Sequence, residues 1–239
     1  MEFYCAGTKP AYHNGKRCLA ILFAGCNFRC HYCYNGSILS QKKEFIVQIN
    51  DIRNSITHTE SGYVLFCGGE PILQKFPLLS LAKFSKEKGL KNILLTNGSK
   101  PDVIKAILRE SLFDEIVLSI KAPFDENYQK VTQSETYFLP AGEVISQIRK
   151  TIGLFSERSE KTMLTIETTI VPNLVFRKED VLKIADEISG LKCRWKLSAF
   201  MPGDCADKRY NNLKPFSKTF MMALKDAVLK EEKGMDVIV

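Results

Sequence analysis

The chain has 239 residues, of which 45% are apolar and 10% aromatic, enough to bury one sizeable core, and it carries a moderate formal charge of +7. No apolar run approaches the length of a membrane span, and Met1-Glu2-Phe3-Tyr4-Cys5 has neither the basic nor the apolar region of an export signal, so the sequence reads as cytoplasmic. The eight cysteines are therefore expected as reduced thiols, and the lack of repeats, low-complexity tracts or an arginine-rich arm gives no support for a nucleic-acid partner.

Apolar β-rich runs alternate with helical periodicity along the chain, the pattern of βα units around a parallel sheet. The first strand is Leu19 to Phe23. Directly after it comes Cys26-Asn27-Phe28-Arg29-Cys30-His31-Tyr32-Cys33, with three thiols at Cys-x3-Cys-x2-Cys spacing. A loop that compact can wrap its sulfurs around one inorganic centre, and thiolates prefer zinc or an iron-sulfur cluster. Zinc would take a fourth ligand, His31 or a distant cysteine, whereas a 4Fe-4S cube on three thiolates leaves one iron open to a small molecule. Three merely buried thiols are the remaining alternative. Cys5, Cys18, Cys67, Cys193 and Cys205 lack such spacing and read as small apolar packers.

The second strand, Tyr63 to Cys67, runs into Gly68-Gly69-Glu70-Pro71, whose glycines let backbone approach a ligand closely. The third, Asn92 to Thr96, ends in Thr96-Asn97-Gly98-Ser99, which is either a turn or part of the same site. Pro101 opens a helix on which Val103, Ile104, Ile107 and Leu108 share a face. In the strand Glu115 to Ile120, alternation turns Val117, Ser119 and Lys121 inward. A helix follows over Val144, Ile145, Ile148 and Ile152. In the strand Met163 to Val171 the same parity turns Thr165, Glu167 and Thr169 inward, and a buried Glu167 requires a cation such as Lys121 unless it reaches solvent at the rim.

Glu179 and Asp180 load the first turn of a helix carrying Val181, Ile184, Ala185 and Ile188, while Gly89, Gly153 and Gly190 serve as helix stops. Strand Trp195 to Phe200 and a helix Phe216 to Lys230, with Phe220, Met221, Leu224 and Val228 on one face, lead to a short terminal strand within Met235 to Val239. The lysine-rich Lys83 to Lys91 and Arg177-Lys178 are placed on helices as solvated faces. Six βα units are too few for an eight-unit barrel, and parallel barrels place reactive groups at the C-terminal ends of their strands, where the cysteine loop lies.

Cys-x3-Cys-x-aromatic-Cys with Tyr32 in the aromatic slot, followed by Gly-Gly-Glu-Pro at the next strand end, resembles the signature of radical S-adenosylmethionine enzymes, and the resemblance runs from about Gly15 to Pro202. It implies an α/β fold, a partial (β/α)6 TIM-like barrel, as a single domain with its core at about 15–202 and a C-terminal helix at about 216–231. It also implies that Cys26, Cys30 and Cys33 hold a 4Fe-4S cluster whose open iron takes the amino and carboxylate groups of S-adenosylmethionine. Gly68, Gly69 and Glu70 would hold that amino group. Lys121 and Ser119 occupy the place of the family's cofactor-contacting Asp-x-Lys, with a serine where the family has a carboxylate. Tyr32, Asn97, Glu167, Thr169 and Met201 complete the expected cofactor contacts. Glu167 stands where activases often carry Arg, Met201 beside Phe200 where one branch has a cofactor-contacting His, and Leu95 where that branch has a cation-binding Asp.

Within that superfamily the chain most resembles the activating enzymes of anaerobic ribonucleotide reductase and of pyruvate formate-lyase, through Ala24-Gly25-Cys26-Asn27-Phe28-Arg29-Cys30, Tyr34-Asn35, Ser119-Ile120-Lys121-Ala122-Pro123 and Thr168-Thr169-Ile170-Val171-Pro172. In that group a reduced cluster cleaves the sulfonium C–S bond, and the 5'-deoxyadenosyl radical takes hydrogen from a backbone glycine of a partner enzyme. No side chain is needed as acid or base; the protein positions groups and excludes water. The implied partners are a glycyl radical enzyme and a flavodoxin- or ferredoxin-like electron donor. One alternative is a small-molecule radical enzyme of the 7-carboxy-7-deazaguanine synthase type, in which an acidic residue and Ser or Thr usually follow the third cysteine. The other is a non-catalytic iron-sulfur protein.

Overall fold

The computed structural model describes residues 1–134, 140–156, 161–232 and 234–239. These form two compact units, one of residues 1–27, 37–117 and 159–163, the other of residues 28–36, 118–158 and 164–239.

The first unit begins with strand β1 (Glu2–His13), antiparallel to β2 (Lys16–Phe23). Asn14 and Gly15 join them with φ of 48° and 76°, the left-handed pair that a two-residue hairpin demands. A short β3 (Ile46–Gln48) adds to the other side of β1, and α1 (Ile49–Thr57) follows with Ile49, Ile52 and Ile56 buried. Strand β4 (Tyr63–Gly68) pairs parallel with β2, and β5 (Lys91–Thr96) parallel with β4, with α2 (Lys75–Glu87) between them. Helix α3 (Pro101–Glu110) then leads to β6 (Glu115–Ser119), on which the division into units falls. Strand order is β3-β1-β2-β4-β5-β6.

The strand faces sort as alternation requires. Cys18, Ala20, Leu65, Ile93 and Val117 form one buried cluster. On the opposite face Phe23 packs against Phe3 and Phe66 at ring distances of 5.5 and 6.5 Å, and Phe66 meets Phe113 edge-on at 5.3 Å. Apolar area removed from water on both faces makes this sheet a two-sided core.

In the second unit, α4 (Glu126–Thr132) is capped by Asp125, whose carboxylate accepts from the Asn127 N–H at 2.8 Å. Helix α5 (Ala141–Ser156) precedes β7 (Met163–Ile170), which enters this unit at Leu164. Helix α6 (Lys178–Ile188), β8 (Arg194–Ala199), α7 (Lys218–Glu231) and β9 (Asp236–Ile238) complete it. The order continues β6-β7-β8-β9, with β7–β8 and β8–β9 parallel. Trp195 is fully buried and its indole N–H donates to the Thr168 hydroxyl at 3.1 Å.

The expected strands all form, with ends shifted by up to three residues, and the short terminal strand is β9. Two expectations are corrected. Gly153 does not stop α5, which continues to Ser156, because its φ is not left-handed and the helix needs no break there. The Lys83 to Lys91 stretch is helical only to Glu87; Gly89, at φ 75°, turns the chain, and Lys91 opens β5. Strands β1 and β3 and helices α1 and α4 are additions to the sequence reading.

Candidate functional site

In the first unit the C-terminal ends of β2 and β4 lie level, with Phe23 paired to Gly68. The Gly69 N–H donates to the Phe23 carbonyl at 2.7 Å and the Glu70 N–H to the Gly25 carbonyl at 2.8 Å, so the Gly-Gly turn is bound to the start of the cysteine loop. Glycine is required here on two counts. Gly68 has φ of 106°, and a Cβ on Gly69 would stand 2.3 Å from the Gly25 carbonyl oxygen. The Gly25 and Cys26 N–H groups donate in turn to the carbonyls of Ile38 and Leu39, at 2.8 and 3.0 Å.

Glu70 is 2% exposed and its carboxylate accepts from the Thr96 hydroxyl at 2.7 Å, the Asn97 N–H at 2.7 Å and the Ile72 N–H at 3.3 Å. These bonds meet the requirement that a buried carboxylate be hydrogen-bonded, and they tie the end of β4 to the end of β5. The Asn97 side chain donates to the Asn27 side-chain oxygen Oδ1 at 3.0 Å and accepts from the Ser99 N–H at 3.0 Å, while the Asn27 side-chain amide donates to the Ser99 hydroxyl at 2.9 Å. Asn27, one residue after Cys26, was not among the residues singled out in the sequence.

The second unit holds the rest of the cysteine loop. Phe28 packs edge-on against Tyr128 at 6.2 Å, and the Arg29 N–H donates to the Thr132 carbonyl at 2.8 Å. Cys30 is 7% and Tyr32 6% exposed. Burial pushes the Cys30 thiol up to about 11, opposed by the Lys121 ammonium, and raises Cys33 likewise, against a hydrogen bond from the Asn35 amide and the charge of Lys121. Burial also raises the Tyr32 phenol, as do the nearby Cys30, Cys33 and Glu167, while a hydrogen bond with Thr169 opposes the shift. Burial disfavours the charge on Lys121, yet Cys30, Glu167 and Cys33 together hold its pKa above the ordinary value. Lys121 is thus the cation of a group comprising Cys30, Cys33 and Glu167.

Glu167 has a nearer partner set than Lys121 alone. The Ser198 hydroxyl donates to its carboxylate at 2.6 Å and the Lys196 ammonium stands 3.5 Å away, both from β8. Neither was singled out in the sequence, although the alternation applied to β7 puts Lys196 and Ser198 on one face of β8. Ser119 ends β6, half-buried, and Met201, just after β8, is 68% exposed.

The donor chemistry fits an iron-sulfur cluster. Cys30 and Cys33 are thiols on one short loop, a donor type that suits iron, which when bound would supply the positive charge that releases their protons. His31 is not available to complete a zinc knuckle: its Nδ1 stands 3.1 Å from the Asp207 carboxylate and its Nε2 3.1 Å from the Gln133 amide. Of the five cysteines outside the loop expected as small apolar packers, Cys5, Cys18 and Cys205 are buried and Cys67 and Cys193 half-buried; all eight cysteines are free.

Residues 13–137, half of the chain, match the model of the 4Fe-4S single cluster domain family. A Methanocaldococcus jannaschii protein named as a glycyl-radical enzyme activating enzyme is 29% identical over 199 residues, which are 83% of this chain and 79% of that protein. The 7-carboxy-7-deazaguanine synthase of the same organism is also 29% identical, over 74% of this chain and 72% of its own. Among solved structures, a radical S-adenosylmethionine methyltransferase from Sphaerobacter thermophilus superposes with a TM-score of 0.71 at 15% identity, covering 97% of this chain and 68% of that one, and so shares its fold. The chain therefore belongs to the 4Fe-4S single cluster domain family and is similar to radical S-adenosylmethionine enzymes.

Proposed function

We propose that this enzyme generates a glycyl radical on a partner enzyme. The observation that carries the reading is the similarity, over 83% of the chain, to a protein named for that activity. When bound, the cluster and S-adenosylmethionine would supply the one-electron chemistry that removes a hydrogen atom from a glycine Cα of the partner. Cys26, Cys30 and Cys33 hold the cluster, the Gly68-Gly69 backbone accommodates the methionine end of the cofactor, and Lys121 offers a fixed positive charge beside the thiolates. Glu70 acts through Thr96 and Asn97, holding the turn in place. Glu167, with Lys196 and Ser198, presents polar groups from β7 and β8.

Electrons would come from an acidic flavodoxin- or ferredoxin-like protein, and the reduced thiols suit the cytoplasm. Among the described residues no helix is long and apolar enough to cross a membrane.

The test is anaerobic incubation of the iron-loaded protein with S-adenosylmethionine, a reductant and candidate glycyl radical enzymes. The expected result is 5'-deoxyadenosine together with a glycyl radical signal in electron paramagnetic resonance. Formation of 5'-deoxyadenosine coupled instead to formation of 7-carboxy-7-deazaguanine would favour the synthase reading, which the equal identity to 7-carboxy-7-deazaguanine synthase supports. No 5'-deoxyadenosine at all would overturn both.

A further inference from the structure

We infer that the segment Cys205–Tyr210, after β8, is a clasp that positions the Cys30–Gly36 loop and thereby sets the reduction potential of its cluster. The segment holds the loop at five points, all within the second unit. The Ala206 N–H donates to the Cys33 carbonyl at 2.8 Å, and the Asp207 N–H to the His31 carbonyl at 3.0 Å. The Asp207 carboxylate stands 3.1 Å from His31 Nδ1, and the Tyr210 ring stacks on the His31 imidazole at 5.9 Å and 18°. Gln133 engages the other imidazole nitrogen at 3.1 Å.

The fifth point is steric. A Cβ on Gly36 would lie 2.9 Å from Ala206 Cα and 3.1 Å from Ala206 N, so only glycine admits the clasp at this distance. Gly36 directly follows Asn35, whose amide hydrogen bonds the Cys33 sulfur. Hydrogen bonds to the sulfurs and exclusion of solvent are among the levers that set cluster potentials, because N–H donors stabilise the more negative reduced state. The clasp thus acts on the cluster through one turn of backbone: Ala206 fixes Gly36, and Gly36 fixes the amide that reaches Cys33. Asp207 is itself held by Arg209, which donates to it from its Nε at 3.0 Å and its terminal nitrogen at 2.6 Å. These are positioning residues.

The inference rests on the Cys26, Cys30 and Cys33 loop being the cluster loop, and the experiment separates the two. The anaerobically iron-loaded protein and its Gly36→Ala, Tyr210→Ala and Tyr210→Phe variants are compared for iron per chain, for thermal unfolding and for midpoint potential by redox titration followed by electron paramagnetic resonance. The expected result is that Gly36→Ala and Tyr210→Ala lower the potential by about 59 mV, a tenfold shift in a one-electron equilibrium, or lose iron at unchanged unfolding temperature. Tyr210→Phe keeps the stacked ring and the parent potential. If Gly36→Ala does not fold, the half-buried Tyr210 pair decides alone. Full iron and the parent potential in Tyr210→Ala overturn the clasp. No cluster in the unsubstituted protein overturns the cluster loop itself.

Discussion

Glu70 shows how much a single side chain can conceal from its sequence. Gly-Gly-Glu-Pro points to a cofactor motif, and the carboxylate invites a role in binding, yet in the fold its two oxygens accept from Thr96, Asn97 and Ile72. The count of donors around a carboxylate depends on which strand ends meet, and that is not legible in a local motif. Replacement by glutamine puts an NH2 among these donors. If the new amide oxygen serves Asn97, the NH2 faces the Thr96 hydroxyl, which already accepts from the Gly98 N–H at 3.1 Å and loses the acceptor for its own proton. Glu70→Gln is therefore expected to cost about 2 kcal/mol, a fall of roughly 6 °C in Tm for a chain of this length. Calorimetry of the iron-loaded protein checks this, and an unchanged Tm would show that the network relaxes freely. Lys196 and Ser198 teach the opposite lesson: both were readable by parity on β8, and what drew no attention to them was the absence of a motif.

At the scale of elements, the apolar strands were legible because burial on both faces gives runs such as Leu19 to Phe23, while β1 was not. Its sequence Glu2–His13 mixes charge, Gly7 and Pro10, and its ladder with β2 shifts register between Cys5 and Thr8. The Asn14-Gly15 pair was the one local signal for this hairpin. Strand β1 brings Cys5 to 2% exposure, where the thiol donates to the Gly7 carbonyl at 3.4 Å. Burial pushes its pKa from 9.0 to about 11, the Gly7 and Leu22 backbone opposing. The unfolded chain ionises this thiol above about pH 9 and the folded protein does not, so its contribution is intact below pH 9 and is lost as pH rises toward 11. The loss approaches about 1.4 kcal/mol per pH unit within that window. Cys5→Ala should accordingly flatten the alkaline fall in stability, read from anaerobic urea unfolding at about pH 8.5 and pH 10.5. Parallel pH dependences in parent and variant would mean that the hairpin already opens below pH 10.

For the whole molecule, the formal charge of +7 was available from composition and says nothing about fold, but it bears on electron delivery. The proposed donor, a flavodoxin- or ferredoxin-like protein, is acidic, and opposite net charges speed encounter without adding contact area. The ion pairs of the basic side chains are largely at the surface, as with Arg17–Glu60, Lys130–Glu126 and Lys178–Glu231, so the field they leave is open to screening. Screening acts over a Debye length that shrinks from roughly 20 Å at about 20 mM salt to below 8 Å at about 300 mM. Over that range the second-order rate of cluster reduction by such a donor is expected to fall by about tenfold, the low end of what electrostatic steering contributes. Reduction by a neutral photoreduced flavin analogue should stay nearly constant, because an uncharged molecule is not steered. Stopped-flow traces of cluster bleaching at several salt concentrations distinguish the two. A donor rate indifferent to salt would mean that the basic charge does not guide this partner.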